Sequence, residues 1–146
     1  MNTKSQFSSS SAKTSAKASI IREGASYRAA QGSDYQPAIS AETVGSRILW
    51  FGAVSLAPGQ RTQAHIHAGH ETAFYMLSGE EAELWSGDRL QHRDVVRPGE
   101  FLFIPANVSH VAVNRSRQAA VFIGARTEST AQESVVMQPW LEALVE

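Results

Sequence analysis

Pro58-Gly59-Gln60-Arg61-Thr62-Gln63-Ala64-His65-Ile66-His67-Ala68-Gly69-His70-Glu71 holds three of the chain's five histidines, and a carboxylate follows the last of them. Residues i and i+2 of a β-strand point to the same face, so His65 and His67 present two imidazoles side by side, a bidentate clamp for a metal ion. The short Ala68-Gly69 connection lets the backbone bend back, so that Glu71, or His70 as the alternative, approaches the same point from the next strand. A His-x-His pair by itself also describes two half-exposed surface residues. A second stretch with its own spacing, Gly99-x5-Pro105-Ala106-Asn107-x2-His110-x3-Asn114, adds one more histidine.

Outward from these stretches the chain reads as strands and turns. Ser46 to Leu56 is a largely buried strand, and Pro58-Gly59 closes it with residues suited to the centre of a type II turn. Thr62 to His67 is a short strand, followed by Thr72 to Ser78, which Gly79 ends so that Ala82 to Trp85 can fold back on it. Leu90 to Arg97 ends in Pro98-Gly99, a second copy of the same turn device, and Phe101 to Ile104, Val111 to Val113 and Ala119 to Gly124 supply three more strands. Some eight short strands with turn residues between them, and no helix among them, predict an all-β barrel or sandwich. Only the C-terminus departs: Pro139 stands at a helix start and residues 140, 141, 144 and 145 are apolar, which predicts a short C-terminal helix packed on the barrel or on a partner subunit.

Composition narrows the classes of function. The 146 residues suit one domain, over 20–146, after a Ser-rich tail at 1–19 whose composition predicts disorder and lacks the apolar core of a secretory signal; a cytoplasmic location is expected. A net charge of −1 with intermixed signs argues against nucleic acid, and no apolar run is long enough to span a bilayer. With no cysteine, a metal must sit on imidazole and carboxylate. Three imidazoles and one carboxylate suit Fe, Mn, Ni, Co or Zn better than Ca or Mg, and leave positions open for a substrate with adjacent oxygens.

These residues carry a resemblance to a known family. Gly59-x5-His65-x-His67-x3-Glu71 followed by Gly79 resembles the first cupin motif, and Gly99-x5-Pro105-x-Asn107-x2-His110-x3-Asn114 resembles the second, with nineteen residues between Gly79 and Gly99. The resemblance covers the core motifs at 45–126 and implies a double-stranded β-helix, the jelly-roll cupin barrel, with one divalent transition metal held by His65, His67, Glu71 and His110. The stretch His70 to Glu80, with Gln132 to Val136, is more narrowly similar to uncharacterised bacterial single-domain cupins labelled as sugar-phosphate isomerases.

Two positions depart from the family pattern. Asn107 stands where the family has glycine, and asparagine tolerates the left-handed backbone best among other residues. Thr72 stands where the family's Glu lies relative to Gly79; a regular strand counted back from that glycine turns His70 and Thr72 inward and Glu71 outward, and a bulge restores Glu71. Glu71 is preferred because it completes the His-plus-carboxylate set, with His70 open as the alternative. Asn114 reads either as support for a metal ligand or as a residue ending its strand. Glu71 or Tyr75 as a proton-moving group, and Arg61, Arg89, Arg93 or Arg97 as a phosphate anchor, would suit an isomerase. The expected function is that of a metal-binding enzyme on a small sugar-like or hydroxy-carbonyl substrate, with a non-haem dioxygenase and a non-catalytic binding module as alternatives. A homodimer burying Trp140 and Leu144 in its interface, or their packing against the barrel, is expected as well.

Overall fold

The computed structural model describes residues 17–22 and 26–146. Of the expected tail, residues 1–16 lie outside the described residues, and Lys17, Ala18 and Ser19 are exposed without regular structure. Two antiparallel sheets face each other in a double-stranded β-helix. One holds β1 (Tyr27–Arg28), β2 (Asp34–Ile39), β3 (Trp50–Leu56), β10 (Ala120–Arg126), β5 (Thr72–Ser78) and β8 (Phe101–Ile104), hydrogen-bonded in that order. The other runs β11 (Val135–Met137), β4 (His65–His67), β9 (His110–Val113), β6 (Ala82–Ser86) and β7 (His92–Val96).

Alternation along the strands explains which side chains enter the barrel. In β3 and β10 every second residue is buried, and register sets Val54 against Phe122. Met76, Ala82, Val96, Ala120 and Phe122 fill one end of the space between the sheets, and Tyr35, Trp50 and Val54 pack nearer β2. Removing such side chains from water is the main term favouring the fold.

The eight strands read from the sequence are all present, with β3 beginning only at Trp50. The structure adds β1 and β11, too short at two and three residues to show a period, β2, which contains Pro37, and one helical turn, α1 (Ala41–Val44), capped by Ser40. Both Pro-Gly turns form as expected: Gly59 and Gly99 have φ of 73° and 94°, with Gln60 N–H donating to the Ala57 carbonyl and Glu100 N–H to that of Arg97, each at 3.0 Å.

The C-terminal helix is a 3-10 helix, Pro139–Leu144, lying on the outer face of the smaller sheet. Leu141 packs there with Ala64, Trp85, Val111 and Val113, and Glu142 accepts from Ala64 N–H and pairs with Arg61. Trp140 is 68% exposed and stands clear of the barrel, while Leu144, 39% exposed, is partly covered. Val145 packs against the same cluster, and with Leu141 and the Glu142 tether it fixes this turn, leaving Trp140 facing outward.

Candidate metal centre

Strand β4 and the start of β9 set three histidines on the inner face of the smaller sheet. His65 and His110 are register partners, and His67 follows His65 by the strand's two-residue period. Their ring centroids are 4.3 Å (His65–His110), 4.5 Å (His67–His110) and 5.3 Å (His65–His67) apart, and all three are buried. One ring nitrogen from each lies within 4.8 Å of the others, as sharing one ion requires. His65 Nδ1 donates to the Gln63 carbonyl at 2.7 Å and His110 Nδ1 to that of Val108 at 2.9 Å. A carbonyl can only accept, so both rings keep the tautomer whose Nε2 lone pair is free for a metal.

Burial holds the three imidazoles in their neutral, metal-binding form. It lowers His65, brings His67 down to about 4, and puts His110 well below the ordinary value, where His65 and His67 add to the effect. Asn107 supports the loop behind them. It adopts φ 63°, as its left-handed position requires; its N–H donates to the His67 carbonyl at 2.9 Å and its side-chain oxygen accepts from Gly69 N–H at 3.1 Å.

The carboxylate beside these histidines is Glu133, not Glu71. Glu71 is exposed, its N–H donates to Thr127 Oγ1, and it belongs to neither cluster of potential ligands. The pairing of β5 with β10 shifts register between Ser78 and Met76, and from Met76 back to Thr72 it runs without a further shift; Met76, Thr72 and His70 are buried. The Thr72 hydroxyl bonds His67 Nδ1 at 2.9 Å. Glu133, in the segment leading into β11, reaches the site because β11 pairs with β4, setting Val135 opposite His67. Its Oε1 lies 3.4 Å from His67 Nε2 and 2.8 Å from His70 Nε2, so His67, His70 and Glu133 form a second ligand cluster sharing His67 with the first. Sequence reading marked this segment only as part of a resemblance; no local spacing ties residue 133 to residue 67.

Burial opposes the charge on Glu133, but the His70 hydrogen bond, His67 and the Arg126 guanidinium outweigh it and hold the carboxyl at about 2. Its Oε2 accepts from Gln31 Nε2 and the Tyr35 hydroxyl, both at 3.1 Å. His70 contacts Glu128 Oε2 through Nδ1 at 3.0 Å and stacks on His67 with centroids 5.0 Å apart, so it serves Glu133 rather than the three-histidine group. Arg126 is buried over the Trp50 ring and donates to the carbonyls of Glu128, Thr130 and Ala131, which fixes the segment bearing Glu133.

The histidines line a cavity of about 60 Å³ between the sheets. None of the other groups named for an isomerase lines it. Tyr75 packs on Phe101 at the outer face, Arg61 pairs with Glu142, Arg97 with Glu81, Arg93 lies over Trp85, and Arg89 is exposed. Asn114 ends its strand: fully buried, it donates to the Leu56, Ala57 and Gln118 carbonyls and accepts from Ser116.

The donor set fits a transition metal: three neutral nitrogens with two free lone pairs fixed by the backbone, and an ionised carboxylate against the third ring. With metal–ligand bonds of about 2.1 Å, neighbouring ligand atoms on one ion lie ~3 Å apart, close to the separation of His67 Nε2 and Glu133 Oε1.

Comparison with known proteins agrees with this architecture. The family model described as Cupin domain matches residues 52–125. No curated protein matches the sequence. Among solved structures, oxalate oxidase is similar at TM-score 0.62 and 20% identity over 75% of this chain, which spans 57% of that protein's length. A candidate sugar phosphate isomerase from Acidithiobacillus ferrooxidans gives TM-score 0.60 and 21% identity, covering 80% of this chain and 74% of its own. The oxalate decarboxylase of Lactobacillus farciminis gives 0.65 and 13%, covering 84% of this chain and 36% of its own. At these identities the likeness is one of fold.

Proposed function

This chain belongs to the cupin domain family, and from that premise we propose that it is a metal-dependent enzyme acting on a small molecule inside the barrel. His65, His67, His110 and Glu133 would hold one Fe, Mn, Ni, Co or Zn ion. The convergence of three buried neutral imidazoles beside an ionised carboxylate carries this reading. When bound, such an ion supplies a Lewis acid with open positions for substrate oxygens, and Fe or Mn also supplies redox chemistry. The chain's own contribution is to aim the ligands and to keep water from the reacting atoms by the buried setting of the histidines.

Between the two reactions the residues raise, oxygenation is supported better than sugar-phosphate isomerisation. An isomerase needs a base beside the substrate and, for a phosphorylated one, a cationic anchor. The groups offered for those tasks, Glu71, Tyr75 and the four arginines, stand away from the cavity. A dioxygenase that adds both atoms of O2 to its substrate needs no such anchor. The isomerase reading keeps one support, the fold-level likeness to the candidate isomerase. Reconstituting the protein separately with Fe(II), Mn(II) and Zn(II) and following dissolved oxygen against hydroxyketones, diketones and sugar phosphates tests the choice. Oxygen uptake confined to Fe(II) or Mn(II) is expected; turnover with Zn(II) and no oxygen uptake would show an isomerase.

A further inference from the structure

Apart from the histidines, the wall of the barrel cavity is mostly apolar, with Val54, Leu84, Leu102, Ile104 and Phe122 among its members. Among the described residues no lysine or arginine lines it. Its one carboxylate side chain, Glu83, has Oε2 engaged by Trp85 Nε1 and Arg115 Nε. Gln31 and Tyr35 also line the cavity, and Gln31 Nε2 and the Tyr35 hydroxyl donate to Glu133. The remaining polar groups include two buried hydroxyls, those of Ser33 and Thr62; Thr62 Oγ1 already accepts from Ala112 N–H, which leaves its proton to donate.

Charge decides what such a wall accepts. Moving a carboxylate or phosphate out of water is costly unless a cation or several donors replace the lost hydration; a bound metal ion would supply that cation at the histidines, and the wall holds none away from them, so a charge carried clear of the ion goes uncompensated. An uncharged molecule has no such penalty, and its carbon skeleton gains from contact with the branched and aromatic side chains. The volume of about 60 Å³ corresponds to a handful of heavy atoms.

We propose that the cavity selects a small uncharged hydroxyketone or diketone, its two neighbouring oxygens toward His65, His67 and His110 and its carbon skeleton against Val54, Leu102 and Phe122. The Ser33 hydroxyl is the specificity contact, donating to whichever ligand oxygen turns from the histidines. This rests on the metal-enzyme reading above.

Cobalt-loaded full-length protein separates the two claims, because bound Co(II) has visible absorption bands that report both its own binding and any oxygen ligand added to it. Hydroxyacetone, glycolate and ribose 5-phosphate are titrated in turn; the first two share size and adjacent oxygens and differ in charge. Hydroxyacetone is expected to shift the bands saturably at concentrations at least tenfold below either anion. Ser33→Ala should weaken its binding about fivefold, the effect of one neutral hydrogen bond. Val54→Phe and Leu102→Phe, which fill the cavity from different strands, should abolish the shift while cobalt stoichiometry is kept. Tighter binding of glycolate or ribose 5-phosphate, or bound cobalt that no probe perturbs, overturns the substrate class alone. Absence of bound cobalt in the unmutated protein overturns the metal reading beneath it.

Discussion

Each histidine of the centre is neutral in the folded protein because its ring is buried, and that has a consequence for acid stability. The unfolded chain takes up protons on these rings below about pH 6.5, whereas folded His67 resists down to about 4. The unfolded state therefore binds more protons in that window, and stability contributed by the neutral rings is present above it and lost as pH falls. Glu133 acts in the same direction at lower pH, since its folded value of about 2 lies below the unfolded one and its contribution disappears as acid approaches that value. Urea unfolding of metal-free protein at several pH values between 7 and 4 should show a midpoint that falls steadily. A midpoint unchanged over that range would mean that the rings are not held neutral. At this scale the sequence was largely legible: the i, i+2 spacing placed His65 and His67 together, and His110 joined them through the second motif. The strand parity counted from Gly79 also turned Glu71 outward, and preference for a carboxylate ligand nevertheless kept Glu71 in the expected set.

Elements account for the rest of that difference. Glu133 comes to His67 only through the pairing of β11 with β4, two three-residue strands far apart in sequence, and neither alternation nor turn chemistry encodes such a partner. β1 and β2 were unreadable for a related reason: two residues are too few for a period, and Pro37 removes a donor from β2. The C-terminal 3-10 helix shows where apolar patterning goes only part of the way, since of the four apolar residues read Leu141 is buried, Val145 packs beside it and Trp140 is exposed. Leu141→Ala should cost about 2–4 kcal/mol by opening a cavity against Trp85 and Val111. Trp140→Ala, in the isolated subunit, should change stability by no more than about 0.5 kcal/mol. Equal losses measured by urea unfolding would contradict this packing.

For the whole molecule, the two sheets differ on their outer faces. The 3-10 helix covers part of the smaller sheet, whereas the larger one presents two cross-strand rows without a charged residue, Phe51–Ala125–Ala73–Phe103 and Ala53–Ile123–Tyr75–Phe101. Phe101 is 79% exposed and Phe103 56%. These two rows offer a partner apolar contact, and a second copy would supply the same surface about a two-fold axis. We propose that the homodimer expected from the sequence forms through these rows, with the exposed Trp140 at the C-terminal turn as the other candidate interface. Light scattering at high micromolar concentration should show a dimer that Phe101→Glu with Phe103→Glu converts to monomer, and a dimer surviving both changes would move the interface elsewhere. The same long-range closure that joins the sheets brings residue 133 to residue 67, which it shares with residues 65 and 110, and that meeting is the core of the functional account. Its most direct test is the metal content of purified Glu133→Gln and Glu71→Gln proteins, with circular dichroism to confirm the all-β fold. Glu71→Gln should retain its transition metal and Glu133→Gln should lose most of it; loss in Glu71→Gln with full retention in Glu133→Gln would contradict the account.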